Sequence, residues 1–328
     1  MGTSGAGVLM NITLRLQRFD PETSDPIAKF QEYSFEISEV ATVLDAIIKV
    51  HEEIDGTIAM RYSCRSSICG SCAMKINGSA ALGCKTRLVE VAEDGGTITV
   101  QPVGNLPVVK DLIADFSPFW SKIKSVDPYL KTSGPEPENE RIASNESMVN
   151  LLTGVNCIMC GCCVSDCTVL EVDPSFVGPA ALAKAWRFTE DPRDSATDER
   201  LKTLNDASGG MWDCTRCMKC VEVCPKEVAP MERIMEMRVA AIEAGNTNTS
   251  GYRHTESFYN SVKKNGRLDE TRLAIDSAGW TNLPRLLDLA PIGIAAMRKG
   301  KLPPIRPHKS KDHKKVRDLY ESVEKEPE

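Results

Sequence analysis

The stretch SCRSSICGSC, residues 63–72, packs three cysteines into one short loop, and a fourth follows at Cys84 in ALGCKT. Cys64, Cys69, Cys72 and Cys84 read C-x4-C-x2-C-x11-C. Two irons bridged by two sulfides need four thiolates, two per iron, and this spacing suits that cluster. Gly70 and the small Ser66, Ser67 and Ser71 fit a loop wrapped closely around a cluster. There the backbone amides must point at sulfur and the side chains must stay clear. A structural zinc site is the alternative, but zinc is usually held by two separated knuckles, and here three cysteines crowd into one loop.

Two more groups lie downstream. Cys157, Cys160, Cys163 and Cys167 read C-x2-C-x2-C-x3-C, and Cys214, Cys217, Cys220 and Cys224 repeat the pattern before Pro225. This is the run of bacterial two-cluster ferredoxins, in which the fourth cysteine of one run serves the other cluster. The spacing therefore predicts one 4Fe–4S cluster on Cys157, Cys160, Cys163 and Cys224. It predicts a second on Cys214, Cys217, Cys220 and Cys167. Zinc could use some of these thiols, though the doubled run argues for cubanes. Of the thirteen cysteines only Cys162 has no assigned partner, and it reads as a small buried residue.

The rest of the composition is ordinary. A hydrophobic content of 41% supports a proper core, and a net charge of −6 gives no sign of nucleic-acid binding. The opening MGTSGAGVLMNITLRL has neither a basic start nor a long apolar core, and so does not read as a leader. No apolar run is long enough to span a bilayer. Dense cysteines in a reduced compartment read as metal ligands.

The pattern along the chain predicts an α+β protein of three parts. Residues 1–106 read as a β-grasp domain of the plant-type ferredoxin kind. NITLRLQRF and FQEYSFEIS alternate as paired strands, and Thr42 caps a helix with Val43, Leu44, Ile47, Val50 and Ile54 on one face. Asn77-Gly78 marks a hairpin, and TRLVEV and TITVQPV read as further strands. Residues 107–245 read as an all-α domain of the bacterial two-cluster ferredoxin kind. Val109, Leu112, Ile113 and Phe116 fall at helical spacing, SGPEPENERIAS reads as an exposed loop, and PAALAKAWRF and APMERIMEMRVAAIEAG read as helices. Residues 246–328 form a C-terminal extension, in which LPRLLDLAPIGIAAM precedes a run carrying nine Lys/Arg against one Asp.

A 2Fe–2S domain followed by a two-cubane domain resembles the iron–sulfur subunit of succinate dehydrogenase and fumarate reductase. The resemblance covers residues from about 10 to 245 and rests on SCRSSICGSCAMKING, ALGC, PVVKDLIADF, CIMCGCCVSDC, GPAALAKAWRF and CVEVCPKEVAP. It implies a non-catalytic electron-relay subunit of an oxidoreductase. The partners it implies are a flavoprotein subunit, which holds the FAD, and one or more membrane anchor subunits, with a quinone acceptor on the membrane side. It also implies a peripheral location on the cytoplasmic side of the cell membrane.

The sequence departs from the family's common pattern at two places. Most relatives lack a cysteine at the position of Cys217 and hold a 3Fe–4S cluster there; the complete run here implies 4Fe–4S. Relatives with the usual quinone pocket carry Pro and His where this chain has Thr168 and Thr215, with tryptophans that TVLEVDPSF lacks, and Trp212 precedes Cys214. The usual quinone pocket is therefore not carried over, and the acceptor is expected to be reached through a different kind of anchor.

The extension is expected to dock on partner subunits rather than lipid, because its apolar stretch is short and interrupted by Pro291 and Gly293. The alternative function is the iron–sulfur subunit of a thiol-linked fumarate reductase or a heterodisulfide-reductase-like complex. No general acid, base or nucleophile stands out, and His51, His254, His308 and His313 all lie away from the cysteine runs.

Overall fold

A computed structural model describes residues 8–23, 26–206, 208–304 and 308–325. The first residues read for a leader, 1–7, and residues 305–307 of the basic run lie outside them. The chain divides into two compact units, Met1–Ala240 and Ala241–Glu328.

The first unit opens with β1 (Leu9–Arg18) and β2 (Lys29–Ser38), which pair antiparallel as the alternation predicts. Met10, Ile12, Leu14 and Leu16 bury one face of β1 beneath α1 (Val43–Glu53). Thr42 caps α1 reciprocally with Asp45. Val43, Leu44, Ile47 and Val50 are buried as expected, but Ile54 caps the C-terminus of the helix and is exposed. β3 (Ala73–Ile76) and β4 (Ser79–Leu82) turn at Asn77-Gly78, both with positive φ. TRLVEV does not form a strand. Arg87 pairs with Thr42 in an isolated bridge, and Leu88–Val91 close into a short helix, α2. β5 (Gly96–Gln101) completes a five-stranded sheet of order β2-β1-β5-β3-β4, with β5 parallel to β1.

The segment after Pro107 is not helical at once. Val108–Lys110 (β6) and Ile113–Ala114 (β7) form a small hairpin around Asp111, which has positive φ. The buried Asp111 carboxylate accepts from the Phe19 and Ala59 amides and from Arg18 Nε. These tertiary bonds hold the turn against the local helical spacing. Helix α3 (Ser117–Ser125) follows.

Residues 126–144 hold no regular element, and the helices beyond them are short around the cysteines. They are α4 (Asn145–Val155), α5 (Cys162–Ser165), α6 (Thr168–Val172), α7 (Pro179–Thr189), α8 (Thr197–Asp206), α9 (Lys219–Glu222) and α10 (Pro230–Glu243). The mixed α+β character, with a sheet first and helices after, is as the sequence predicts.

The second unit is helical: α11 (Ser250–Asn265), α12 (Glu270–Ala278), α13 (Leu283–Arg298) and α14 (His313–Val323). Pro291 and Gly293 do not interrupt α13, contrary to the sequence reading. Tyr259 and Lys263 on α11 bond to Glu324 and tie α14 to it.

Candidate iron–sulfur centres

The loop 63–72 runs between α1 and β3, and its backbone carries three positive φ angles, at Arg65, Ser67 and Gly70. Those angles turn successive amides inward. The amides of Ser66, Ile68 and Cys69 donate to Cys64 Sγ at 3.3–3.4 Å, and that of Ser67 donates to Cys84 Sγ at 3.3 Å. Such donors stabilise charge on sulfur. Cys72 is buried in the sheet core and Cys69 is exposed. The Ser71 hydroxyl, with nearby amides, brings the Cys69 thiol down to about 6, whereas burial pushes Cys72 up to about 12.

The other two groups converge on two separate cavities. Cys157, Cys160, Cys163 and Cys224 line one, with Ile158 and Phe119 among the apolar residues around them. Cys167, Cys214, Cys217 and Cys220 line the other, beside Phe176 and Ile234. The fourth cysteine of each run thus sits with the first three of the other. Neither cavity offers a His, Asp or Glu, so the donor set is sulfur alone. Burial raises the Cys163 thiol well above its ordinary value and pushes Cys220 up to about 12. Thiols so desolvated give up their protons when a bound cation takes their place. The donor set therefore fits thiolate-ligated iron–sulfur clusters.

Burial alone would raise the Cys217 thiol, but bonds from the Thr168 hydroxyl and from backbone amides bring it below its ordinary value. Thr168 Oγ1 lies 3.5 Å from Cys217 Sγ. The two departures from the family's common pattern therefore touch each other. Cys162 is wholly buried in the core shared with the sheet, as a small apolar residue would be.

Two contacts that sequence reasoning missed seat the middle run on the sheet. Asn105 Nδ2 donates to the part-buried carbonyls of Val164 and Ser165 in α5 and of Cys167 just after it. The Asp166 carboxylate accepts from the Ala80 amide of β4 at 2.9 Å. A lone Asn in VGNLPV and an Asp between cysteines carry no sequence signal for either role. Gly70 also touches the second loop: a Cβ there would lie 2.8 Å from Cys160 Cβ. None of the predicted non-ligand histidines lines the two cavities.

Comparison with known families accords with this geometry. Residues 13–121 match the 2Fe-2S iron-sulfur cluster binding domain, and residues 155–228 match the 4Fe-4S dicluster domain. With the cysteine-walled sites, these matches define an iron–sulfur protein with a 2Fe–2S domain followed by a 4Fe–4S dicluster domain. The 8-methylmenaquinol:fumarate reductase iron-sulfur subunit of Wolinella succinogenes is 31% identical over 81% of this chain and 84% of its own length. The fumarate reductase iron-sulfur subunit of Mycobacterium tuberculosis is 35% identical over 70% of this chain and 92% of its own. The succinate dehydrogenase iron-sulfur subunit of Paracoccus denitrificans is 37% identical over 68% and 85%. The chain belongs to the family of succinate dehydrogenase and fumarate reductase iron–sulfur subunits. A solved chain of the Mycobacterium smegmatis Sdh1 complex shares the fold, with a TM-score of 0.67 at 24% identity, covering 74% of this chain and 99% of that one.

Proposed function

We propose that this chain is the electron-relay subunit of a succinate dehydrogenase or fumarate reductase complex. It lies between an FAD-containing subunit and a quinone acceptor at a membrane anchor, peripheral to the cytoplasmic side of the membrane. Its N-terminal sheet is read as a β-grasp, plant-type ferredoxin domain over residues 1–106, and residues 107–245 as the two-cubane domain. The observation that carries the reading is the exchange of fourth cysteines between the two cavities. It matches what a two-cluster ferredoxin requires and what isolated zinc knuckles do not. When bound, iron–sulfur clusters supply one-electron carriers.

The residues of this chain would divide the work as follows. Cys64, Cys69, Cys72 and Cys84 hold 2Fe–2S, with the inward amides of the loop lowering the cost of charge on Cys64 and Cys84. Cys157, Cys160, Cys163 and Cys224 hold one 4Fe–4S cluster. Cys167, Cys214, Cys217 and Cys220 hold the other, so that the chain belongs to the type with a cysteine-complete third site. Ile158 and Phe119 line the first cubane site and Phe176 and Ile234 the second, as its apolar walls. The comparisons do not favour a thiol-linked or heterodisulfide-reductase-like subunit, since the relatives described above are named for succinate and fumarate chemistry.

Iron and sulfide analysis with EPR of the air-free complex tests the reading. About ten irons per chain are expected, as the cluster formulae require, and no full-occupancy 3Fe–4S signal. A colourless zinc protein would overturn the reading, and a stoichiometric 3Fe–4S signal would overturn the role of Cys217. Cys217→Ile is expected to create that 3Fe–4S signal, because the cubane then lacks a thiolate for its fourth iron.

A further inference from the structure

We infer that α13 of the C-terminal unit lies flat on an anionic lipid surface. The helix runs for 16 residues through both Pro291 and Gly293, and none of its residues is buried. Leu283, Leu287, Ile294 and Met297 share one face, at 64%, 61%, 50% and 64% exposure. Leu286, Leu289, Gly293 and Ala296 lie on a second, half-buried face. The exposed face is thus a continuous apolar stripe along the whole helix, of the kind that needs a cover.

Charge decides what covers it. Arg298, Lys299 and Lys301 stand at the end of the stripe, and residues 298–317 carry nine Lys/Arg against one Asp in a chain whose overall charge is −6. Among the described residues Lys299, Lys301, Lys309, Lys311 and Lys314 have no ion-pair partner. An apolar stripe joined to a basic run in which only Lys315 and Arg317 of the described Lys and Arg are ion-paired suits the interface of an anionic membrane. At 1.5 Å per residue α13 is about 24 Å long, short of the ~30 Å hydrocarbon core. No helix among the described residues is long and apolar enough to cross a membrane. The orientation that remains is parallel to the surface, with the stripe facing the acyl chains and the lysines facing phosphate. Of the two features that spoke for a protein partner in the sequence, the interruption at Pro291 and Gly293 does not break the helix, and the shortness excludes spanning but not lying flat. The inference goes beyond the electron-relay reading and does not depend on it.

Flotation of the cluster-loaded full chain tests it, with phosphatidylcholine vesicles with and without phosphatidylglycerol. Wild type is expected to float with the phosphatidylglycerol vesicles and to be released by high salt. The double variant Leu287→Glu, Ile294→Glu is expected to lose binding about tenfold or more. No buried side chain is altered, so its EPR spectrum should match that of wild type. Equal flotation of the variant, or no flotation of wild type, overturns the inference. A second measurement separates lipid from protein: Leu287→p-benzoylphenylalanine, photolysed in the assembled complex in native membranes. A lipid adduct supports the assignment. An adduct to a partner subunit alone, or no lipid adduct, overturns it.

Discussion

Thr168 shows how one hydroxyl can act on a site it does not ligate. Its Oγ1 stands within hydrogen-bonding reach of Cys217 Sγ, where a proline would have no donor to offer. Hydrogen bonds to cluster sulfurs favour the more reduced, more negative state and raise the potential. A neutral bond is worth about 1 kcal/mol, which for a one-electron couple is on the order of 40 mV. Thr168→Val should therefore lower the potential of the third site by a few tens of millivolts and leave the other two unchanged, as read by EPR-monitored redox titration. Gly70 is the second such residue. Its φ of +75° and the 2.8 Å approach to Cys160 Cβ leave no room for a side chain between the first and second cysteine loops. Gly70→Ala should spread those loops and weaken the magnetic interaction between the clusters they hold. The expected readout is slower spin relaxation of the reduced 2Fe–2S centre, with both EPR signals still present.

At the scale of elements, the sequence was most legible where chemistry fixes spacing. Twelve cysteines could be sorted into three groups from the intervals alone, and eight of them line two cavities, four in each. The alternation of β1 and β2, the Thr42 cap and the Asn77-Gly78 hairpin were also legible, because each is a local signal. The misses share a cause. TRLVEV and the hairpin around Asp111 are decided by distant partners, Thr42 for the one and Arg18, Phe19 and Ala59 for the other. Asn105 belongs to the same class. Its amide reaches the carbonyls of Val164, Ser165 and Cys167, the first and last of which also accept backbone amides, from Cys167 and Glu171. Asn105→Ala should cost about 1 kcal/mol, since two of its three acceptors keep other donors. A lower thermal midpoint and early loss of cubane iron on heating, with the 2Fe–2S spectrum intact, are the expected observations.

Over the whole molecule, the crossed cysteines predict how stability depends on iron. Cys224 lies far along the chain from Cys157, Cys160 and Cys163, and Cys167 is as remote from Cys214, yet each joins the others' cavity. In the proposed assignment each cubane is thus a tie between two distant segments, and its binding free energy is also folding free energy. The sheet has no such dependence, since β1, β5 and α1 bury their own aliphatic core. Around the cavities the structure consists of short turns such as α5 and α9, which hold few backbone bonds of their own. Stripping iron with a chelator under anaerobic conditions should therefore act unevenly. Amide hydrogen exchange is expected to rise by orders of magnitude across residues 157–167 and 214–228, while β1, β2 and β5 keep their protection. Uniform loss of protection would mean that the chain unfolds as one body without its metal. Unchanged exchange around the cysteines would mean that the cavities are held by packing alone, and that the crossed ligands carry no structural role.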